Sequence, residues 1–222
     1  MKKTLMVVDG NSLMYRAFFA MPPLTNKHSE PVGAIYGFFS MLISALDSLA
    51  PESLAIAFDM KGKTFRHDIY EQYKGTRKPM PDELIPQFPV LKKALNGMGI
   101  KTLQSAGYEA DDILGAMSLL AAGNDMTSVL VTGDKDIYQL VSDSCSVLMT
   151  RKGVSESLYV DESKLDELYS LSPSQIVDLK GFMGDSSDNI PGVPGVGEKT
   201  ALKLLHEYKD MDGVYAHIDE QK

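Results

Sequence analysis

Three short apolar runs, each ending in an aspartate, limit the possible folds of this chain more than any other feature. Short apolar runs separated by longer stretches of helical periodicity predict buried parallel strands that alternate with helices. The runs are residues 4–9, 53–59 and 128–134, and the predicted helices are residues 33–49, 84–97, 110–122 and 161–169. This order predicts an α/β fold with a mostly parallel central sheet flanked by helices.

The aspartates that end these runs are Asp9, Asp59 and Asp134. Ligands of open parallel sheets bind at the carboxyl ends of the strands. One acid in such a place is more often an ordinary loop residue than a ligand. Because three strands end in the same way, we expect the three carboxylates to meet in one site.

Two further regions have a different character. Residues 65–86 are polar, basic in their second half and broken by prolines, which predicts a long loop or mobile arch. From residue 173 the pattern predicts a smaller helical appendage, with helices over 173–182 and 198–208 joined by a glycine-rich hairpin. We therefore expect a core of residues 1–172, which includes the arch, and an appendage of residues 173–222.

The composition narrows the class of protein. The chain has one cysteine, Cys145, and four histidines, so it forms no internal disulfide, fits a reducing cytoplasm and is a poor candidate for a structural zinc site. The first apolar stretch stops at Asp9, too early for a secretory leader, and no run is long enough to span a membrane. A net charge of −8 argues against a nucleic-acid partner unless the acids gather around bound cations.

More acids cluster beyond the strand ends. Helical spacing predicts that Glu109, Asp111 and Asp112 share one side of the first turn of a helix. The other candidate metal ligands are Asp136, two residues after Asp134, and the pair Asp185 and Asp188, which lie three residues apart. Clustered carboxylates suit hard divalent cations, and two such ions about 3.5–4 Å apart can hydrolyse a phosphodiester. Helix capping by Glu109 and Asp112, and turn formation by Asp185 and Asp188, are the alternatives.

The glycine-rich hairpin contains Gly192, Gly195 and Gly197, followed by Lys199. Its sequence comes close to a phosphate-binding P-loop, but Glu198 breaks the required spacing and no strand is predicted before it. A hairpin whose backbone N–H groups approach a DNA phosphate is the preferred interpretation, with further contacts from Lys199 and Lys203. A purely structural connection between two helices is the alternative.

Six motifs in this order resemble the 5′-nuclease (flap endonuclease) family, with the nearest likeness to the N-terminal 5′-3′ exonuclease region of bacterial DNA polymerase I. The resemblance covers residues 9 to about 205. The motifs are Val8–Ser12, Phe58–Asp59, Tyr73–Arg77, Glu109–Ile113, Thr132–Asp136 and Gly184–Gly197. The resemblance implies a PIN-like sheet with a helical arch and a C-terminal helix–three-turn–helix appendage. It also implies that the family's nuclease region continues with further helices, so we expect this chain to be a fragment.

The resemblance further implies a structure-specific 5′-3′ exonuclease and flap endonuclease that acts in RNA primer removal and DNA repair. It implies two Mg²⁺ ions, replaceable by Mn²⁺, and a K⁺ ion at the 188–197 hairpin. The implied metal ligands are Asp9, Asp59, Glu109, Asp111, Asp112, Asp134, Asp136, Asp185 and Asp188. Lys74 and Arg77 are the implied catalytic residues, and the implied DNA contacts are Arg16, Tyr73 (by stacking on a base), Gly192, Gly195, Gly197, Lys199 and Lys203. We also expect Lys78 to belong to the basic surface that faces the DNA.

The expected partners are branched or 5′-flap DNA and RNA primer–DNA hybrids, with a fused polymerase domain in the full-length protein. We expect a cytoplasmic, nucleoid-associated monomer without membrane contact. A solvated basic loop is the alternative for the Lys74 and Arg77 segment. Two rival classes are a dehalogenase-like or TOPRIM phosphoryl-transfer enzyme and a DNA-binding module without catalysis. The dehalogenase pattern needs its acid pair after the first strand, where Asp9-Gly10-Asn11 stands, and the full acid set disfavours the second class.

Overall fold

A central sheet organises the chain, and the computed structural model describes residues 2–220. The strands are β1 Thr4–Asp9, β2 Ser53–Ala57, β3 Lys101–Leu103, β4 Thr127–Thr132, β5 Cys145–Thr150 and β6 Ser157–Val160. They form a six-stranded sheet in the order β3-β2-β1-β4-β5-β6. All neighbouring pairs are parallel except β5 and β6, which are antiparallel. The predicted α/β class and mostly parallel sheet are confirmed.

Helices cover both faces of this sheet. They are α1 Gly10–Ala20, α2 Gly33–Leu49, α3 Phe65–Ile69, α4 Gln87–Gly97, α5 Ala110–Gly123, α6 Glu162–Tyr169, α7 Gln175–Met183, α8 Glu198–Tyr208 and α9 Met211–Ala216, with 3-10 turns at Lys135–Leu140 and Ile218–Glu220. A small antiparallel hairpin, β7 Gly184–Asp185 and β8 Ile190–Pro191, lies between α7 and α8. Across residues 2–220, no helix combines the length and apolar character that crossing a lipid bilayer requires.

Alternation along the strands divides the core into two layers. Successive strand residues point to opposite faces, so Met6 and Val8 pack among residues of α1, α2 and α4. Val7 and Leu130 pack on the other face among residues of α5, α6 and α7. Because both faces are buried, the central strands are continuous apolar runs. This is the physical basis of the pattern from which the sheet was predicted.

The position of β1 in the sheet creates the site. β1 pairs with β2 on one side and with β4 on the other, so the chain leaves β1 in one direction and later returns to its opposite edge. In parallel sheets a crevice opens at the carboxyl ends of the strands where the order reverses in this way. Asp9 is the last residue of β1 and lies at this point.

Most predicted elements are present, with boundaries shifted by a few residues. The helices over 33–49 and 198–208 match α2 and α8, while the predicted start at residue 84 is three residues too early because α4 begins after Pro86. Strands β2 and β4 end two residues before their aspartates. The predictions did not include α1, α9 or the strands β3, β5 and β6.

Residues 65–86, predicted as a long loop or mobile arch, begin with a short helix, in agreement with the helical arch that the family resemblance implies. α3 forms there, and the capping box between Thr64 and His67 satisfies its first turn. The rest of the segment is made of turns, and Tyr73 and Leu84 are buried. Local caps and two apolar anchors therefore hold a segment that its proline content marks as irregular.

The C-terminal helices extend one layer of the core. Leu179 of α7 and Ala201 and Leu205 of α8 belong to the same apolar cluster as Val7 and Leu130 of the sheet. The hairpin between these helices requires Gly192, because a Cβ atom there would lie 2.3 Å from the carbonyl carbon of Met183. The 184–192 hairpin is therefore closely packed against the end of α7.

Candidate active site

A cavity of about 680 Å³ lies at the carboxyl ends of the parallel strands, and we call it the acid cavity. Seven of the nine predicted ligands line it, namely Asp9, Asp59, Glu109, Asp111, Asp134, Asp136 and Asp185. Asp188 lines an adjoining cavity of about 300 Å³ that shares Glu109 and Asp185 with the first. The structure therefore brings together acids that lie up to 176 residues apart in the sequence (Asp185 minus Asp9).

Backbone N–H groups and one hydroxyl hold the strand-end carboxylates in place. Asp9 caps α1, because its Oδ1 accepts a hydrogen bond from the Ser12 amide at 2.9 Å. Its Oδ2 accepts one from the Thr132 hydroxyl at 3.0 Å. Asp59 Oδ1 accepts from the Ala110 amide at 2.7 Å, and Asp134 Oδ1 accepts from the Asp136 amide at 2.9 Å. The starts of α1, α5 and the 3-10 turn after β4 thus each orient one acid.

Burial and mutual repulsion perturb the acids deepest in the cavity. Burial is the main reason that the pKa of Asp9 rises to about 6, with smaller contributions from the carboxylates of Asp59 and Asp134. Burial, then the charges of Asp9 and Asp134, raises the pKa of Asp111 to about 8. Such crowding disfavours the ionised forms unless a cation compensates it. The potential metal ligands that line the cavity include seven carboxylates and no histidine or cysteine. This set of ligands fits a hard divalent cation.

Lysine and arginine side chains form ion pairs with several of these carboxylates in the structure. Lys74 Nζ lies 2.6 Å from Glu109 Oε1, and Arg77 pairs with Asp188. Lys180 Nζ lies 2.6 Å from Asp136 Oδ1 and 2.9 Å from Asp185 Oδ2. With the side chains in these positions, no three acidic, histidine or cysteine side chains within residues 2–220 form a metal-ligand set. A divalent cation would therefore exchange places with ammonium groups.

Asp112 does not join the other acids. It lines neither cavity, and both of its oxygens accept hydrogen bonds from Arg66, each at 2.8 Å. Asp112 shares its side of the first turn with Glu109, because the two form a capping box and both contact Arg66, but Asp112 does not line the cavity that Asp111 lines. Glu109 is the N-cap and stands outside the helix, and one residue of helical rotation turns Asp112 away from the cavity that Asp111 faces.

Tyr73 also differs from its predicted role. Its side chain is buried, and its hydroxyl lies 2.9 Å from both Glu109 Oε2 and Asp188 Oδ2. The ring therefore offers no exposed face on which a base could stack in this conformation. Lys78, five residues further along, is exposed.

Arg16 lies beside the acids in a separate basic depression. This cavity, of about 870 Å³, shares Ser12, Tyr15 and Gly133 with the acid cavity and also contains Arg151 and Lys152. The Arg16 Nε atom is buried without a hydrogen-bond partner. Gly133 leaves room for the guanidinium, since a Cβ atom there would lie 3.1 Å from an Arg16 terminal nitrogen.

The three predicted hairpin glycines have three different constraints. Gly192 is required by packing, as described above, whereas Gly195 has a φ of +81° and open space around it. Gly197 has an ordinary φ of −98°, open space and no side-chain cap, so the first N–H groups of α8 are free of a capping side chain. Lys199 and Lys203, one helical turn apart on α8, are exposed.

Two site residues were missed from the sequence, Lys180 and Arg66. Lys180 precedes Asp185 by five residues at the end of α7, and Arg66 lies in the segment predicted as a loop. Nothing in their local sequence distinguishes them from solvated basic residues. Only the packing of α7 and α3 against the acids identifies them.

The sequence matches two families whose segments adjoin. Residues 4–170 match the family described as "5′-3′ exonuclease, N-terminal resolvase-like domain". Residues 171–222 match "5′-3′ exonuclease, C-terminal SAM fold". DNA polymerase I of Bacillus subtilis is 44% identical over 99% of this chain, and the match covers 25% of that protein. The chain thus spans about a quarter of the length of the curated relatives that it matches.

Two solved structures from bacteriophage T5 have the same fold. The T5 5′-exonuclease with zinc bound has a TM-score of 0.76, with 25% identity over 97% of this chain and 79% of that one. The T5 flap endonuclease in complex with DNA and metal ions has a TM-score of 0.75, with 26% identity over 96% of this chain and 78% of that one. The resolvase-like sheet, the SAM-like helices and the carboxylate cavity together define a metal-dependent nuclease. Within that class, the chain belongs to the 5′-3′ exonuclease family.

Proposed function

We propose that this chain hydrolyses DNA phosphodiesters at 5′ ends and 5′ flaps with the help of two divalent metal ions. The observation that supports the proposal is the convergence of seven carboxylates in one cavity, three of them with raised pKa values. Family membership and the T5 complex with DNA and metal ions support the same reaction. All of these observations concern the nuclease region alone.

The acids divide into two groups by position. Asp9, Asp59, Glu109 and Asp111 come from β1, the residues after β2 and the start of α5, and would hold one Mg²⁺. Asp134 and Asp136 come from the start of the 3-10 turn after β4, and Asp185 and Asp188 come from the hairpin after α7. These four would hold a second ion, with Mn²⁺ as a substitute. The bound ions would supply an activated water and neutralise the leaving oxygen. The protein's task is to hold the carboxylates rigidly, which the amide hydrogen bonds to Asp9, Asp59 and Asp134 do.

Lys74 and Arg77 would be released from Glu109 and Asp188 when metal ions take over these acids. The two cations line the acid cavity and would then bind the phosphate at the point of cleavage. Arg16 has an unpartnered Nε in the adjoining depression, which suits a neighbouring phosphate of the same strand.

The hairpin and α8 would bind duplex DNA away from the chemistry. The uncapped start of α8 after Gly197 and the exposed Lys199 and Lys203 suit phosphate groups, and a K⁺ ion at residues 188–197 would assist. Gly192 and Gly195 would shape the backbone of this surface. Lys78, exposed in the 65–86 segment, would add a phosphate contact.

The polymerase relatives support part of a proposal for the wider setting. The chain would act as the nuclease region of a longer polymerase, as a monomer in the bacterial cytoplasm at the nucleoid. Its substrates would include branched DNA and RNA primer–DNA hybrids in replication and repair. Residues 1–172 would contain the catalytic site, and residues 173–222 would bind duplex DNA.

A cleavage assay tests the proposal. A flap DNA labelled at its 5′ end should release short products in Mg²⁺ or Mn²⁺ and none in EDTA. Asp111→Asn and Asp134→Asn should each reduce the rate by at least about 100-fold, whereas Asp143→Asn, an exposed acid in a turn, should cleave normally. Anomalous scattering from Mn²⁺-soaked crystals should give peaks among the acids. Tight DNA binding without cleavage in any metal would overturn the proposal and leave a DNA-binding module.

A further inference from the structure

We infer that Arg66 and Asp112 form a clamp that positions the 65–86 segment over the acid cavity, and that Asp112 is a positioning residue rather than a metal ligand. The inference rests on the proposed function, because it concerns how Lys74 and Arg77 reach the scissile phosphate. It reduces the expected set of nine metal-binding acids to eight.

The hydrogen bonds of Asp112 leave little capacity for a metal ion. Its Oδ1 accepts from one terminal nitrogen of Arg66, and its Oδ2 accepts from the other, each at 2.8 Å. The Oδ2 atom also accepts from the backbone N–H of Glu109 at 2.9 Å. This fork-to-fork pair is the strongest geometry available between a guanidinium and a carboxylate.

Other contacts around Arg66 fix the same end of the segment. The Phe65 amide donates to the Gly107 carbonyl at 3.2 Å, and the rings of Phe65 and Tyr108 lie 5.8 Å apart. The Arg66 guanidinium lies over the Phe65 ring at 4.6 Å. The start of the 65–86 segment is thus fastened to the residues that lead into α5.

The Arg66–Asp112 clamp and the ammonium group of Lys74 both contact Glu109. Its backbone N–H donates to Asp112, and its side chain accepts the Lys74 ammonium at 2.6 Å. Arg66 itself lies 3.6 Å from Glu109 Oε2. If Glu109 held a metal ion in place of Lys74, the Arg66–Asp112 pair would remain, because Asp112 lines neither cavity. The clamp therefore keeps the segment in place while Lys74 and Arg77 turn to the substrate.

Metal binding and proteolysis test the clamp without any need for cleavage activity. Mn²⁺ binding, followed by electron paramagnetic resonance, should be unchanged in Asp112→Asn and weakened at least tenfold in Asp111→Asn. Limited trypsin digestion should cut after Lys74 and Arg77 several-fold faster in Asp112→Asn than in the parent chain. Asp68→Asn, an exposed acid on α3, is the matched control and should match the parent in both assays.

Kinetics then separate positioning from simple loss of structure. At saturating flap DNA, Asp112→Asn and Arg66→Met should each lower the single-turnover rate by about 10- to 100-fold with little change in Kd. The double variant should be no worse than either single variant, because both remove one interaction. Arg66→Lys, which retains the charge without the fork, should fall in between. Equal losses of Mn²⁺ affinity in Asp112→Asn and Asp111→Asn, additive effects in the double variant, or unchanged proteolysis would each overturn the inference. A parent chain that fails to cleave would refute only the proposed function.

Discussion

Lys180 Nζ lies 2.6 Å from Asp136 Oδ1, so an ammonium group of α7 pairs with an acid of the 3-10 turn that follows β4. The same ammonium reaches Asp185 at 2.9 Å. One lysine therefore joins two carboxylates on the side of the cavity where the C-terminal helices pack. Both acids belong to the group proposed for the second metal ion, so the lysine and that ion would compete for the same oxygens.

Lys180→Met should lower the stability of the metal-free protein and raise its affinity for divalent metal. Removing the ammonium leaves two acids without a counter-ion, and after discounting for partial exposure we expect a loss of about 1–2 kcal/mol. Thermal unfolding in EDTA measures the loss, and Mg²⁺ should restore most of it. Lys164→Met, which breaks an exposed pair with Glu167, should change stability by less than about 0.5 kcal/mol. Equal effects of the two substitutions would contradict the competition between Lys180 and the metal.

The metal-free protein should lose stability as the pH rises from about 4 to about 8. Asp9 and Asp111 have pKa values of about 6 and about 8 in the folded state, above the ordinary value of 3.8. In this window the folded state binds more protons than the unfolded state, so the free energy of unfolding falls with rising pH. The slope per group is at most about 1.4 kcal/mol per pH unit, with both groups contributing below pH 6 and Asp111 alone above it.

Urea unfolding in EDTA at pH 4.5, 6 and 7.5 measures this slope. Asp111→Asn should flatten the part between pH 6 and pH 8, because its side chain has no proton to lose. Asp185 has a pKa lowered to about 2, so its contribution is lost only in acid below this window. A parent protein whose stability rises from pH 6 to pH 7.5 would show that the acid cavity does not strain the folded state.

Lys74→Met should slow cleavage far more than it weakens duplex binding. The Lys74 ammonium lines the acid cavity, where it would stabilise charge at the reacting phosphate, and groups in that role contribute about 100- to 1000-fold to the rate. Arg77→Met should have the same direction of effect. Single-turnover rates and duplex Kd values, measured on the same preparations, separate the two quantities. A matching loss in both would assign Lys74 to binding alone.

Gly197→Ala should weaken duplex binding without changing the fold. An added methyl group meets no protein atom there, and the backbone is in a conformation open to alanine. Alanine is a weaker N-cap than glycine, which lowers the stability of α8 slightly, but a loss of duplex affinity in the folded protein would arise from a ligand that approaches the backbone. Gly195→Ala is a poorer test because its φ of +81° predicts a loss of about 1 kcal/mol in stability. Duplex Kd values and circular dichroism of Gly197→Ala decide whether α8 grips DNA.

Lys199→Ala should make the salt dependence of duplex binding shallower. Losing one phosphate contact reduces the slope of log K against log salt by about 0.9. Lys101→Ala is the control, since Lys101 is exposed at the beginning of β3, the end of the strand opposite the acid cavity. Unchanged slopes in both variants would place the duplex elsewhere on the surface.

The sequence alone determined the three central strands and the acids that follow them. Buried parallel strands must be continuously apolar, so the central strands β1, β2 and β4 are visible as runs, and the acid that ends each run must lie at the carboxyl edge. Asp9, Asp59 and Asp134 were predicted to meet for this reason, and all three line one cavity. The short edge strand β3 and the antiparallel β6 were not predicted, because partly exposed strands lack a continuous apolar run. The buried strand β5 was also missed, although its sequence is largely apolar.

Only the tertiary structure decided which charged side chains face the cavity and which hold other parts of the chain. Asp111 and Asp112 are adjacent and chemically identical, yet one faces the acids and the other faces Arg66. Tyr73 and Lys180 likewise carry no local signal of their contacts with acids more than 30 residues away or across a helix end. Side-chain direction depends on how α3, α5 and α7 pack against the sheet, and that packing is fixed by contacts between distant residues that no local pattern encodes.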